Sequence, residues 1–557
     1  MKKMIPAWLL ALSLYACTGK QKADLLIYNT TIYTVDDSFR IAEAMLVKDG
    51  KVLATGSREE LEKKYDAAEK TDAGGKYIYP GFIDAHAHFV GYGLSLQTAD
   101  LTGTESWEEI LQRLSVFARD LPAGEWLTGR GWDQNDWPVK EFPTNEKLNE
   151  LFPDRPVLLT RIDGHAAIAN QKALDIAGVK PGDKVSGGDI FTMPATQKIS
   201  SPERNPAMQL TGVLVDNAID LVSSHIPVAD KAKYREALLD AQRNCFAMGL
   251  TTIDDCGLHH TSVDQIKSLQ EAGELKMRLY IMLGDAPDNY AYLEKNGIIK
   301  TDRLHVRGFK LYGDGALGSR GACLLKPYSD KPGYSGFLLS QPAHFDSMAS
   351  WIAQRNFQMC THAIGDSGNR TILNIYAKYL KGKNDKRWRI EHAQVISQED
   401  FRLFGEYSII PSVQPTHATS DMYWAGDRLG PERVKGAYAF NQLMQQNGWL
   451  PLGTDFPVED ISPFKTFYAA VIRKDAKGWP EGGYQTENAL SREDALRGMT
   501  IWAAKSNFEE NEKGSLEAGK LADFIILDTD LMKADEKQLL AATVLQTFIN
   551  GEQVYRK

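Results

Sequence analysis

The stretch YPGFIDAHAHF, residues 79–89, is an apolar run that ends in two histidines, His86 and His88. One residue separates them, so on a β-strand both side chains lie on the same face. Two imidazoles at the end of a strand are suitable ligands for a borderline-soft divalent cation such as zinc. An isolated pair of this kind is also typical of interior histidines that bond to the backbone.

Four further apolar runs end in a polar residue. They are VRGFKLYGDG with Lys310, FQMCTHAIGD with His362, WRIEHAQ with His392 and LPLGTDFP with Asp455. In a barrel of parallel strands, the carboxyl ends of the strands meet at one mouth. Asp455 would also accept a proton from a metal-activated water, which makes it the candidate catalytic residue. The predicted metal ligands are His86, His88, Lys310, His362, His392 and Asp455.

Lys310 lies between apolar residues of a strand. Burial disfavours the charged amine, so we expect a lowered pKa for Lys310. A neutral amine adds carbon dioxide to form a carbamate, whose two oxygens can bridge two cations. The alternative is an ion pair between Lys310 and Asp314.

Apolar runs alternate with helical stretches through the middle of the chain. This alternation predicts an α/β fold, a (β/α)8 TIM barrel over residues 80–504. The interval between the first and second strands is too long for one helix, which predicts an inserted lobe at about residues 94–208. The eight predicted strands are YIYPGFIDAHAH, GLTTIDDC, LKMRLYIML, VRGFKLYG, FQMCTHAIG, RWRIEHAQ, YSIIPSVQP and GWLPLGTDF.

Short strands and turns dominate the two ends of the chain, residues 18–79 and 505–557. Asp49-Gly50 and Asn550-Gly551 each lie between apolar runs, which is a hairpin signal. Each end is too small to bury a core alone. The two ends are therefore predicted to form one composite β-sandwich domain.

The first residues are two lysines followed by an apolar run from Met4 to Ala16, too short to span a bilayer as a helix. The run ends in LYAC, which resembles a bacterial lipobox. Residues 1–17 are thus predicted to be a lipoprotein-type signal peptide, with Cys17 carrying the lipid. An ordinary export signal cut near Ala16 is the alternative. Both place the protein in the bacterial cell envelope, and only the lipid anchor would connect it to a membrane.

The composition argues against a nucleic-acid partner, because the 557 residues carry a net charge of −9 without basic clusters. A small-molecule substrate is expected instead. The other cysteines show no metal-type spacing and lie in apolar contexts, so buried thiols are expected. They are Cys245, Cys256, Cys323 and Cys360.

The ordered set of HxH, strand-four lysine, strand-five and strand-six histidines and strand-eight aspartate resembles the amidohydrolase superfamily. The phrases PGFIDAHAHF, KLYGDGALGSRGA, THAIGD, EHAQ and GTDFPV are similar to amidohydrolase family 3, in its YtcJ-like branch with the N-substituted formamide deformylases. The likeness runs from Asp24 to Val554. It implies one or two divalent metals, zinc by default, with a carbamylated Lys310 as bridge. It further implies that metal-activated water hydrolyses an amide-type C–N bond of a small molecule, and barrels of this type often form homodimers.

Two residues outside the metal set are candidates for substrate binding. His165 in RIDGHAAIAN resembles a family position in the inserted lobe that faces the site. Arg320 in ALGSRGA follows strand four, where it would meet an anionic group or order its loop. Trp132 and Trp137 would either line the pocket or pack locally.

Two other functions stay open on the sequence alone. A single-metal deaminase would release ammonia from a ring carbon with the same barrel, but deaminases of this superfamily generally use a glutamate after strand five, and THAIGD has none. A non-catalytic, exported ligand-binding lipoprotein is the second alternative. The complete ligand set with its acid–base candidate argues against it.

Overall fold

The computed structural model describes residues 20–122, 124–194 and 208–557. The predicted signal peptide, residues 1–17, lies outside the described residues, and so does Cys17. Within the described ranges, no helix is long and apolar enough to cross a bilayer.

Seven parallel strands form a nearly closed barrel, so the predicted TIM-barrel fold is confirmed. They pair in chain order and alternate with helices, and the strand Gln358–Ala363 is buried along its whole length. The strands are β1 Phe82–Ala87, β2 Leu250–Leu258, β3 Arg278–Gly284, β4 Leu304–Tyr312, β5 Gln358–Ala363, β6 Arg389–His392 and β7 Ile410–Ser412. A short strand, Ile299–Lys300, pairs with β4 in the antiparallel sense.

Helices surround the barrel. They are Phe89–Ser95, Lys231–Ala247, His260–Glu271, Pro287–Asn296, Pro342–Arg355, Asp366–Leu380, Phe401–Glu406, Pro415–Asp421, Ala425–Arg433, Phe440–Asn447, Pro463–Ile472, Arg492–Gly498 and Ile501–Ser506. The helix before β2, Lys231–Ala247, is capped by Asp230, whose carboxylate accepts hydrogen bonds from two backbone N–H groups of the first turn. It packs closely on helix Phe89–Ser95, because Gly93 lets the two backbones approach. A Cβ at Gly93 would lie 2.4 Å from the carbonyl oxygen of Ala237.

The eighth barrel position is filled by residues 450–455, which do not form the regular strand that the sequence predicted. One parallel bridge joins Leu452 to Val413 at the end of β7. On the other side, Leu452 O accepts from Ala85 N at 3.1 Å, and Asp455 N donates to His86 O at 2.7 Å. The ladder is broken because Pro451 has no N–H and the backbone of Asp455 turns to a φ of 64°. These bonds nevertheless join the first and last positions of the barrel.

The two ends of the chain share one seven-stranded sheet. In spatial order its strands are Glu552–Arg556, Val544–Ile549, Phe524–Leu527, Tyr65–Pro80, Gln21–Tyr33, Ile41–Lys48 and Lys51–Gly56. Helices Arg58–Lys64 and Glu536–Leu540 accompany them.

Arg278 at the start of β3 connects this sheet to the barrel. Its Nε donates to Asp523 Oδ2 at 2.6 Å, and both side chains are buried.

The inserted lobe is built on a six-stranded sheet. Its strands are Ala99–Asp100, Leu127–Trp132, Val157–Arg161, Ala166–Ala169, Gly188–Pro194 and Met208–Asp216. Its helices are Trp107–Phe117, Glu146–Leu151, Gln171–Ala177 and Asp220–Ser223. The lobe thus continues past the predicted limit near residue 208, because the last strand pairs with Ala166–Ala169.

Trp132 and Trp137 pack in the lobe core, and their indole N–H groups donate to Leu159 O and Thr104 O.

The cysteines of the described chain are free thiols. Cys245, Cys256 and Cys360 are buried, and Cys323 is partly exposed. Burial raises the pKa of Cys245, Cys256 and Cys360 well above the ordinary thiol value, which keeps these groups protonated and unreactive.

Candidate metal centre and active site

Four of the six predicted ligands, His86, His88, His392 and Asp455, meet at the carboxyl ends of the barrel strands. Ligand atoms of His86, His392 and Asp455 all lie within 4.8 Å of one another, and the three side chains are buried. His88 Nε2 lies 3.2 Å from Asp455 Oδ1. The strand-end pattern in the sequence therefore corresponds to one compact cluster in the fold.

Each of three imidazoles is held through its Nδ1 atom. His86 Nδ1 lies 2.5 Å from Glu391 Oε2, and His88 Nδ1 lies 3.1 Å from Cys256 O. His392 Nδ1 lies 2.7 Å from Gln414 Oε1. Because these oxygens accept hydrogen bonds, each Nδ1 carries the proton and each Nε2 keeps its lone pair.

A cation fits the point where these lone pairs converge. Asp455 Oδ1 is buried without a hydrogen-bond donor, although His86 Nε2 lies 3.6 Å and His88 Nε2 3.2 Å away. Lone pairs facing one another in a buried site are unfavourable unless a positive ion lies among them. Nitrogen and carboxylate donors of this kind suit zinc and similar transition ions. Since oriented imidazoles with partnered Nδ1 atoms are the usual arrangement at metal sites, the donor set fits a divalent metal.

His86, His362 and His392 are held neutral, as metal ligands must be. Burial and the nearby Lys310 ammonium lower the pKa of His86 to about 4. Burial and neighbouring imidazoles lower the pKa values of His362 and His392 well below the ordinary value. The imidazoles therefore offer free nitrogen atoms at neutral pH.

Asp455 is ionised in this environment. Burial alone would raise the pKa of Asp455, but the hydrogen bond from His417 and the polar imidazoles around the carboxylate outweigh it. The resulting pKa lies well below the ordinary aspartate value. His417 Nε2 contacts Asp455 Oδ2 at 3.2 Å, so the second oxygen, Oδ1, is the one left facing the imidazoles.

Two of the ligands lie at backbone positions of positive φ. His392 at the end of β6 has a φ of 71°, and Asp455 has a φ of 64°. Residues other than glycine rarely adopt this left-handed backbone conformation, so these two positions store conformational strain. The turn at His392 lets two successive residues, Glu391 and His392, both reach the centre, whereas a regular strand would point them to opposite faces.

Lys310 and His362 border the cluster. Lys310 Nζ lies 3.3 Å from His86 Nε2 and 4.8 Å from the centre of the Tyr312 ring. The ring centroid of His362 lies 4.6 Å from that of His392. His362 lies outside the compact set, and its Nε2 faces Gly315 O at 3.4 Å.

Two expectations for Lys310 are wrong. Burial alone would lower the pKa of Lys310. The electrostatic effect of its neighbours outweighs burial, so the pKa lies above the ordinary lysine value; these neighbours are Tyr312, Cys256, Glu391 and Asp455. The alternative ion pair with Asp314 is absent from the described chain. That carboxylate instead accepts three backbone N–H bonds, at 2.8–2.9 Å, from the loops beside it.

A cavity of about 710 Å³ opens over the cluster, between the barrel mouth and the lobe. His165 lines it, as predicted for a lobe residue that faces the site, and its Nδ1 lies 2.6 Å from Asp216 Oδ1. This contact directs the other ring nitrogen of His165 away from Asp216. Burial alone would lower the pKa of His165, but the hydrogen bond and charge of Asp216 outweigh burial, so the pKa of His165 lies above its ordinary value. Substrate binding by His165 stays a prediction.

Arg320 does not join this cavity. Its Nη2 forms an ion pair with Asp330 Oδ2 at 2.8 Å, and the side chain lines a separate cavity of about 380 Å³. Ordering of the loop after β4 is the role that these contacts support. Substrate binding by Arg320 stays a prediction that the geometry does not favour.

Three residues that the sequence analysis missed complete the centre. Glu391 and Gln414 orient the imidazoles of His86 and His392, and His417 holds Asp455. Gln414 and His417 follow β7 in the run SVQPTHA, so the strand-end rule applied to that run would have found them. Glu391 gives no such signal, because its direction depends on the turn at His392.

Comparison with known proteins agrees with this geometry. The model of the amidohydrolase family matches residues 69–555. The chain belongs to the amidohydrolase family.

Relatives within the amidohydrolase family align over nearly the whole chain. The protein LONG AFTER FAR-RED 3 of Arabidopsis thaliana is 33% identical over 96% of this chain and 92% of its own. The putative amidohydrolase YtcJ of Bacillus subtilis is 31% identical over 94% and 98%. An N-substituted formamide deformylase of Arthrobacter pascens is 25% identical over 96% and 99%. The resemblance to family 3 and its YtcJ-like branch is confirmed.

A solved structure supports the metal. The crystal structure of an uncharacterized metal-dependent hydrolase from Pyrococcus horikoshii aligns with a TM-score of 0.72 and 28% identity, over 92% of this chain and 99% of that one. With the donor set described above, this similarity identifies the chain as a metal-dependent amidohydrolase. The deaminase and binding-protein alternatives are not favoured.

Replacing Gln414 tests how this amidohydrolase orients His392. Gln414→Leu removes the acceptor for the Nδ1 proton, so we expect metal affinity to fall about 10- to 100-fold. Gln414→Glu keeps an acceptor at this position and should retain at least wild-type affinity. Competition with a chromogenic chelator measures both affinities, and thermal unfolding of the two variants checks the fold. Unchanged affinity in the leucine variant would show that Gln414 does not position His392.

Proposed function

We propose that the protein hydrolyses an amide-type C–N bond of a small organic molecule, releasing a carboxylic acid and an amine. The observation that carries this proposal is the convergence of three unprotonated imidazole nitrogens on a buried carboxylate oxygen that has no hydrogen-bond donor, beneath a cavity of about 710 Å³. The formamide deformylase among its relatives supports the amide class. Formamides, N-acyl amino acids and cyclic amides are therefore the first compounds to screen.

The residues of the cluster divide the chemistry between them. His86, His88, His392 and Asp455 would hold the divalent cation, which supplies the Lewis acidity that activates water and polarises a carbonyl when it is bound. Asp455 is ionised, the form that accepts a proton from the attacking water. It would then deliver this proton to the departing nitrogen. His417, bridging Asp455 and Glu459, restrains the carboxylate during both transfers.

Asp455→Asn tests the proton transfer. The amide keeps the size of the side chain but cannot accept the proton, so we expect kcat to fall by about 10²- to 10⁴-fold while the fold is retained. Asp460→Asn is the matched control, because Asp460 lines the same cavity and pairs with Lys465. Its kcat should stay within a few-fold of wild type. Steady-state kinetics and circular dichroism measure both variants, and unchanged turnover in Asp455→Asn would remove Asp455 from the mechanism.

We further propose that the cation is zinc. Lys310, once its ammonium has lost a proton and the amine has added carbon dioxide with release of a second proton, would as a carbamate help to hold two such ions. The proposal rests on the family resemblance and on the position of Lys310. Its Nζ is buried 3.3 Å from His86 Nε2 and has no carboxylate partner among the described residues. His362, beside His392, would serve the second ion.

Metal content tests the bridge. Protein purified without chelator should contain two equivalents of metal per chain by elemental analysis, and Lys310→Ala should contain one or none. A ¹³C carbamate resonance should appear when wild-type protein is supplied with ¹³C-bicarbonate and should be missing from Lys310→Ala. One equivalent in the wild type, without this resonance, would make Lys310 a structural or substrate-contacting residue.

Attachment to the cell envelope through a lipid on Cys17 is also proposed, from the lipobox-like sequence before it. In a bacterial host, radiolabelled palmitate should enter wild-type protein and Cys323→Ser but not Cys17→Ser. The label and detergent-phase partitioning report the anchor. An unlabelled, soluble exported protein would instead indicate an ordinary signal peptide. Association into a homodimer stays a prediction.

A further inference from the structure

Arg130 is a cationic side chain of the active-site cavity that lacks an acidic partner. It lies on the lobe strand Leu127–Trp132 and lines the same cavity as Asp455. Its Nη2 donates one hydrogen bond, to Ile162 O at 2.8 Å, and its Nε is buried without an acceptor. Within the described parts of the chain the guanidinium makes no ion pair. Most of its five N–H donors are therefore free for a ligand.

The other cationic side chains of the cavity are already neutralised. Arg161 is fully buried between Asp133 and Asp163, and it contacts both carboxylates. Lys465 Nζ pairs with an acidic neighbour, Asp460, at 2.6 Å. Among the described arginines and lysines that line the cavity, Arg130 is thus the one that forms no ion pair with a carboxylate.

The surroundings of Arg130 disfavour an uncompensated charge. Burial lowers the pKa of Arg130, and the fields of Asp163 and Asp455 offset this only in part. Arginine stays protonated in proteins, so the charge persists and its desolvation cost is met only when an anion pairs with it. Room for such a contact exists on the side of the guanidinium that lines the cavity of about 710 Å³. Gly164 packs beside the guanidinium, with its Cβ position 3.5–3.6 Å from both terminal nitrogens.

We propose that Arg130 binds a carboxylate of the substrate and that the substrates are amides bearing such a group, of the N-acyl amino acid type. A guanidinium fork and a carboxylate match in a planar, bidentate pair, which gives both affinity and orientation. The inference rests on the proposed amide hydrolysis at this site. It assigns to Arg130 the anion-binding role that the sequence suggested for Arg320.

Paired probes isolate the charge that Arg130 recognises. N-formylphenylalanine and its C-terminal amide, each as both enantiomers, differ only in the carboxylate. Their dissociation constants are measured by isothermal titration calorimetry on Asp455→Asn protein, in which turnover is expected to be suppressed. Because Asp455 is itself a candidate metal ligand, the protein is reconstituted with zinc and its metal content is measured before each titration. A charge-assisted pair of this kind corresponds to about 10- to 100-fold in affinity, so we expect the acid to bind tighter than the amide by that factor.

Substitutions on the same background decide where the preference originates. Arg130→Gln should bring the acid-to-amide ratio near one and leave the affinity of the amide within about threefold, since only the charge-assisted pair is lost. Arg130→Lys keeps the charge without the fork and should give an intermediate ratio, which also guards against misfolding of the glutamine variant. Arg320→Gln, the matched change at the ion-paired arginine, should leave the ratio unchanged.

Several results would overturn the inference. They are equal binding of acid and amide, no binding of the acid at millimolar concentration, and a preference for the acid that survives in Arg130→Gln or disappears in Arg320→Gln. Hydrolysis of the probes by wild-type protein is scored separately. If the acid binds through Arg130 but no amide is hydrolysed, the proposed function fails and the anion site stands. If both probes are hydrolysed without preference, the function stands and the role of Arg130 fails.

Discussion

The centre of the barrel depends on a buried guanidinium. Arg389 on β6 is fully buried and contacts Asp254 Oδ2 at 2.9 Å and Glu391 Oε1 at 2.7 Å. Burial alone would raise the pKa of Glu391, but Arg389 and His86 outweigh it and lower the pKa below the ordinary value. The ionised Glu391 fixes the Nδ1 proton of His86 and so exposes Nε2 at the cluster. Loss of Arg389 would leave carboxylates buried without a cation, which costs several kcal/mol.

Much of the architecture follows from local patterns in the sequence. Strands that are buried on both faces read as apolar runs, and their alternation with helical spacing is sufficient to predict a parallel barrel. Polar residues at strand ends are conspicuous against such runs, which is why the sequence alone predicts that His86, His392 and Asp455 are neighbours. The rule works because the barrel brings every carboxyl strand end to the same mouth.

The remainder depends on contacts that no local pattern encodes. Glu391 reaches His86 only because the chain turns to a positive φ at the following residue. A positive φ at Asp455 likewise interrupts the eighth strand, although the sequence of residues 450–455 predicts a regular strand. Arg130 and Arg320 look alike in sequence as arginines beside glycines, yet Asp330 pairs with one of them and no described acid pairs with the other. Which arginine is free is a property of the tertiary fold.

The sheet shared by the two chain ends has a consequence for synthesis of the chain. Strand Tyr65–Pro80 lies between Gln21–Tyr33 and Phe524–Leu527, so one of its edges has no partner until almost the whole chain has emerged. An open strand edge is a template for pairing with other chains, and pairing across such a sequence separation is slow. The nascent protein thus exposes an aggregation-prone surface throughout its translation.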